Sequence, residues 1–162
     1  MVVWIIGLSG SGKSFLAKKI HQSLKKQKKK VIWIDGDQIR QYITYDLDYS
    51  FNDRKKNSLF ISNLCNFLEK QNFIVICSIL SIIKEHQKRN RKIFKKYIQI
   101  YLKSNIKKLQ EENHKNIYNK KKVVGLDINF PKPYKSDLII DNIKKNKFDK
   151  KLIKNILRKI NG

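Results

Sequence analysis

Residues 7–14 read "GLSGSGKS", a lysine and a serine placed behind three glycines in the order G-x-x-x-x-G-K-S. Glycines at this spacing let the backbone turn so that successive N–H groups point into one concavity, and a helix starting behind them adds its positive end. Such a concavity takes a polyphosphate. Gly7, Leu8, Ser9, Gly10, Ser11 and Gly12 would form the cradle for a nucleoside triphosphate, Lys13 would reach its β- and γ-phosphates, and the Ser14 hydroxyl would sit on Mg²⁺. A second stretch, "DGDQIR" at residues 35–40, supplies Asp35, Asp37 and Arg40. Two carboxylates beside a magnesium–phosphate site have work available: one orients the metal and its waters, the other accepts a proton from an attacking hydroxyl. An aspartate that merely caps a helix beside a tight turn needs no catalysis, so the stretch alone leaves both readings open. Behind a phosphate loop the functional reading gains weight.

These residues need elements to hold them. Apolar runs recur at residues 2–6, 31–34, 73–80, 97–102 and 137–140, with helical patterns between them. Leu16, Ala17, Ile20 and Leu24 mark one face of a helix directly behind the loop. A helix over 52–70 is expected to turn Leu59, Phe60, Leu64, Phe67 and Leu68 inward, and a last helix Leu152, Ile153, Ile156, Leu157 and Ile160. The alternation predicts an α/β fold, a doubly wound parallel sheet of about five strands with flanking helices, whose ligands sit beyond the carboxyl ends of the strands. Residues 113–136 break the rhythm, being lysine-rich and holding both prolines, Pro131 and Pro133. They read as a short lid over the site or as an irregular connection.

At 162 residues and 41% hydrophobic content, the chain suits one domain over 1–162. No stretch has the length of a membrane span, and the chain enters a strand at once, so a cytoplasmic protein without a membrane partner is expected. Cys65 and Cys77 lie in apolar contexts and read as buried reduced thiols. The net charge of +24 comes from lysines spread over helices and loops among many Asn and Ile, the pattern of an AT-rich coding sequence rather than of a nucleic-acid face. Its field should still draw small anionic substrates. A P-loop module that binds nucleic acid stays as the alternative from a different class, and would be marked by steep weakening with salt. His21, His86 and His114 share no spacing and read as surface residues, while Trp4 and Trp33 read as core. Association as a homodimer is left open.

Six blocks, "VVWIIGLSGSGKS", "VIWIDGDQIR", "YSFNDRKKN", "LSIIK", "NHKNIYNKK" and "VVGLD", resemble in type and order those of the adenylylsulfate kinase family, from residue 2 almost to residue 141. The resemblance implies a P-loop NTPase fold of the nucleoside-kinase type and transfer of the γ-phosphoryl of MgATP to the ribose 3′-hydroxyl of adenylylsulfate. It implies Lys13 and Ser14 on ATP and Mg²⁺, Asp37 as the base, and Asp35 near the metal. It further implies Arg40, Arg54, Asn57 and Lys115 on the acceptor nucleotide, together with Leu80 and with Ser81, which matches the serine of the family's S-P-Y-R block.

The departures fall on the acceptor side. Where the family clamps adenine between two phenylalanines, this chain has Tyr49 and Val123. Ile82, Ile83 and Lys84 replace Pro, Tyr and Arg of the S-P-Y-R block, Glu112 stands where an arginine is expected, and the stretch 118–125 is shorter. A lysine in place of arginine gives up a bidentate anion grip. Within the same family, a variant kinase phosphorylates the 3′-hydroxyl of cytidine diphosphoramidate in bacterial capsule modification. One aromatic platform beside a valine suits that smaller base, so cytidine diphosphoramidate is the favoured acceptor. The alternative is adenylylsulfate, giving 3′-phosphoadenylylsulfate for sulfate assimilation.

Overall fold

The computed structural model describes residues 1–112, 116–119, 121–141 and 148–162. Five strands, β1 (Val2–Gly7), β2 (Val31–Asp35), β3 (Ile74–Ile79), β4 (Tyr97–Lys103) and β5 (Leu138–Asp141), form a parallel sheet in the order β2-β3-β1-β4-β5. The central strand β1 is buried along its whole length, as an unbroken apolar run requires when helices cover both faces of a sheet. The expected strand count and sheet type are met.

One face is covered by α1 (Lys13–Lys26) and α6 (Lys150–Asn161). Leu16, Ala17, Ile20 and Leu24 of α1, with Ile153, Ile156 and Ile160 of α6, bury against Val3, Ile5, Ile76 and Ile100. The other face carries α3 (Phe51–Lys70) and α4 (Lys84–Ile93), with Ile61 and Cys65 packed on Trp4, Ile6, Val75 and Cys77. Both cysteines are buried and free, and burial beside Cys65 pushes the Cys77 thiol well up. Two short helices, α2 (Gly36–Tyr42) and α5 (Ile106–Glu112), follow β2 and β4 at the end of the sheet where the site lies.

Helix α3 is turned differently from the expectation. Its inward residues are Ser58, Ile61, Ser62, Cys65 and Glu69, while Leu59, Phe60 and Phe67 are exposed and Leu64 and Leu68 only flank the core. The reason is that this helix packs on α4 as well as on the sheet, and a polar ridge meets polar partners there. Ser58 Oγ lies 3.1 Å from His86 Nδ1, Ser62 donates to Asn90 Oδ1 at 2.6 Å, and Glu69 accepts from the Lys95 and Lys96 N–H groups. His86 is therefore buried, against the surface position expected of it, and burial followed by the charge of Lys55 draws its pKa down. Ile61→Ala should cost about 2–5 kcal/mol of stability by leaving a cavity, whereas Phe67→Ala should stay within about 1 kcal/mol. Urea unfolding of both variants checks this, and equal losses would restore the face read from the apolar spacing.

Candidate active site

The loop between β1 and α1 is shaped by what its glycines avoid. A Cβ on Gly7 would lie 2.6 Å from Ser11 Oγ and 2.8 Å from the Leu102 carbonyl, and Gly12, the N-cap of α1, sits at φ 92°. Neither position takes an ordinary side chain without strain. Lys13 bends back over the loop, its Nζ donating to the Leu8 carbonyl at 2.8 Å. Leu8 itself is buried among Ile82, Ile83, Leu109 and Val124, and so anchors the loop to the core. Ser9, Gly10, Ser11 and Gly12 complete the turn, which Ser11 closes by donating its N–H to the Leu8 carbonyl at 3.2 Å. This cradle opens at the positive end of a 14-residue helix, an arrangement made for phosphate.

Asp35 ends β2 beside it, buried. Its Oδ2 accepts from Ser14 Oγ at 2.6 Å and from Ser78 Oγ at 2.9 Å, and its Oδ1 accepts from the Asp37 N–H at 3.0 Å as the N-cap of α2. The cap and the metal-side reading thus describe one residue. Ser14 and Asp35 form a pair of hard oxygen donors at the edge of a phosphate cradle, which fits Mg²⁺. Among the described residues no group of three His, Cys, Asp or Glu side chains gathers elsewhere as a metal site.

A cleft of about 500 Å³ opens from Lys13 across α2. Of the residues expected at the site, Ser9, Lys13, Asp37, Arg40, Tyr49, Arg54, Asn57, Leu80 and Val123 line it. Arg40 and Arg54 hold their guanidinium carbons 4.9 and 5.3 Å from the centre of the Tyr49 ring, within cation–π range. Desolvation, and then the charge of Arg40, draw the Arg54 pKa down. Asn57 is buried with its Oδ1 accepting from the Thr44 hydroxyl at 2.8 Å, so its amide nitrogen is the group with donors to offer. Ser81 behaves otherwise: it is buried, its carbonyl and hydroxyl accept from Gln87 Nε2 at 3.2 and 3.4 Å, and it does not line the cleft. Lys84 is exposed at the start of α4, outside the cleft lining. Lys115 and His114 lie outside the described residues.

The cleft also includes residues that the sequence reading passed over: Gln41, Tyr45, Leu47, Ile117, Lys121 and Lys122. Tyr45 and Leu47 sit between "DGDQIR" and Tyr49, and Lys122 adjoins Val123, so proximity to named residues was the available signal. Lys122 matters most. Its Nζ pairs with Asp48 Oδ2 at 2.5 Å, and its carbonyl accepts from Arg54 Nη2 at 3.1 Å, tying the 121–128 turn to the loop that carries Tyr49. That contact and the Ser50 N–H hold Asp48 well below the usual carboxylate range. At the other end Tyr118 donates its hydroxyl to the Ser9 carbonyl at 2.7 Å, and burial pushes that phenol up to about 12, so it stays a donor.

A phosphate cradle with a hard-oxygen pair, set at the carboxyl ends of a five-stranded parallel sheet, defines a P-loop kinase. The chain belongs to the adenylylsulphate kinase family, whose model matches residues 1–141. It is 32% identical over 157 residues to the cytidine diphosphoramidate kinase of Campylobacter jejuni, covering 93% of this chain and 91% of that one. It is 30% identical over 149 residues to the probable adenylyl-sulfate kinase of Bacillus subtilis, covering 87% and 76%. The Mycobacterium tuberculosis APS kinase, solved in complex with AMPPNP and APS, superposes with a TM-score of 0.88 over 99% of this chain and 97% of that one, at 22% identity. Membership makes the chain a phosphotransferase that uses ATP with Mg²⁺. Among the described residues no helix is long and apolar enough to cross a membrane.

Proposed function

We propose that this kinase transfers the γ-phosphoryl group of ATP to the ribose 3′-hydroxyl of cytidine diphosphoramidate, with adenylylsulfate as the competing acceptor. The observation that carries the reading is on the cleft wall: where the family has two phenylalanines, Tyr49 keeps an aromatic ring and Val123, 4% exposed, is aliphatic, with Tyr45 the other ring of the lining. A single stacking face contributes on the order of 1–3 kcal/mol and suits a small pyrimidine ring. Lys13, Arg40, Arg54, Lys121 and Lys122 set against the single carboxylate of Asp37 make the cleft receptive to an anionic nucleotide. An uncharged phosphoramidate nitrogen also asks less of an anion grip, and Lys84, which replaces the family's arginine, stands outside the cleft lining.

In this reading Lys13 and the loop N–H groups hold the triphosphate, and Ser14 and Asp35 hold Mg²⁺, which when bound neutralises charge on the phosphates. Asp37, at the first turn of α2 and on the cleft wall, takes the proton of the acceptor hydroxyl. Arg40, Arg54 and Asn57 orient the acceptor. Residues 116–119 and 121–136 are the described part of the lid assigned to 113–136, with Tyr118 bonded to the phosphate loop and Lys122 to the acceptor loop.

Selectivity tests the acceptor. Tyr49→Ala should weaken the acceptor by roughly 1–3 kcal/mol and leave the KM for ATP nearly unchanged. Val123→Phe should shift the ratio of kcat/KM values toward adenylylsulfate, because a second ring restores a stacking face while crowding the smaller base. Both acceptors must be measured on each protein. A Val123→Phe enzyme with an unchanged ratio would remove Val123 as the discriminating residue.

A further inference from the structure

Behind Asp35 lies a chain of hydrogen bonds that the phosphate-loop chemistry does not by itself require. Trp33 Nε1 donates to Ser78 Oγ at 2.9 Å, Ser78 Oγ donates to Asp35 Oδ2 at 2.9 Å, and Ser14 Oγ donates to the same oxygen at 2.6 Å. Strand register explains why these side chains meet. Asp35 of β2 pairs with Ser78 of β3 in the parallel ladder, and Trp33, two residues before Asp35, points to the same face of the sheet. That face is the one α1 covers, and Ser14 lies in the first turn of α1.

The donor inventory fixes the direction of every link. An indole N–H can only donate, so Ser78 Oγ must accept from Trp33. The one proton of Ser78 is then committed to Asp35, whose carboxylate accepts it. Ser14 likewise spends its proton on Asp35, and its lone pairs remain for a cation. Ser78 is 2% exposed, so no solvent competes for these bonds. Asp35 is thereby held from three sides: by Ser78 from the sheet, by Ser14 from α1, and by the Asp37 N–H from α2.

We infer that Ser78, oriented by Trp33, is a positioning residue for the magnesium side of the site, fixing the Asp35 carboxylate so that Ser14 presents its oxygen to the metal. Ser78 is buried and does not line the cleft. It acts through Asp35, as residues behind a metal-ligand shell commonly do, where their loss weakens metal affinity by about 10–100-fold. Trp33 acts one bond further out: without its N–H the Ser78 hydroxyl can rotate away from Asp35. The inference rests on the MgATP reading of the loop.

The test is calorimetric titration of the whole protein with AMPPNP, first without metal and then over a range of Mg²⁺ concentrations, on the parent, Ser78→Ala, Ser78→Thr and Trp33→Phe. Ser78→Ala should raise the Mg²⁺ midpoint about tenfold while metal-free AMPPNP affinity stays within about twofold of the parent. Ser78→Thr, which keeps the hydroxyl, should restore the midpoint, and Trp33→Phe should raise it by a smaller factor. A Ser78→Ala midpoint equal to the parent's, or an equal loss of affinity with and without metal, overturns the inference. Should Ser78→Ala not fold, Trp33→Phe decides by the same criterion. A parent protein that binds AMPPNP neither with nor without Mg²⁺ would instead overturn the nucleotide assignment on which the inference stands.

Discussion

Lys13→Ala should abolish phosphoryl transfer, with turnover down by at least about 10³-fold, while the circular dichroism spectrum and melting midpoint stay close to the parent's. The side chain has little to do with the core. It is the first residue of α1, half-buried, and its Nζ donates to the Leu8 carbonyl across the loop. The helix behind it is held by Leu16, Ala17, Ile20 and Leu24, which the substitution does not touch. In the proposed reaction the same ammonium group faces the phosphates, where positioning and charge neutralisation make up most of the rate. Turnover near the parent level would remove the phosphate loop from the reaction, and unfolding of the variant would assign Lys13 a structural role that its contacts do not suggest.

The second large effect belongs to Asp37→Asn, expected to lower kcat by on the order of 10²-fold or more with little change in ATP affinity. An amide matches the carboxylate in shape but cannot take the proton of an attacking hydroxyl. Asp37 is well suited to separate these roles, because the N-cap of α2 is Asp35 and the metal-side bonds to Ser14 and Ser78 also belong to Asp35. Helix and metal pair therefore survive the change. A parallel fall in ATP affinity would make Asp37 chiefly a metal or phosphate residue, and the proton would need another acceptor.

Much of this site is legible in short stretches because the chemistry is local there. "GLSGSGKS" places its cradle, lysine and hydroxyl within eight residues, and the helix behind it shows its buried face directly. "DGDQIR" puts Asp35 and Asp37 two residues apart, and Asp35 becomes both the cap of α2 and the acceptor of the Ser14 hydroxyl. Legibility fails where partners come from distant elements. The inward face of α3 is set by Ser58, Ser62 and Glu69 meeting His86, Asn90 and the backbone ahead of β4, so the apolar spacing misplaces Leu59, Phe60 and Phe67, which face solvent. Ser81, read as an acceptor residue, is turned to Gln87, a contact formed only once α4 has packed. Lys122 looks like one lysine among many until the fold sets it against Asp48, 74 residues away in the chain.

The acceptor assignment turns on one comparison, in which the purified protein is incubated with ATP, Mg²⁺ and either cytidine diphosphoramidate or adenylylsulfate, and the products are read by phosphorus and proton NMR. The expected result is an ATP-dependent phosphate on the ribose 3′-oxygen, formed with a higher kcat/KM on cytidine diphosphoramidate than on adenylylsulfate. A large preference for adenylylsulfate would contradict the pyrimidine assignment, and a ribose left unphosphorylated with both acceptors would contradict the 3′-kinase reading itself.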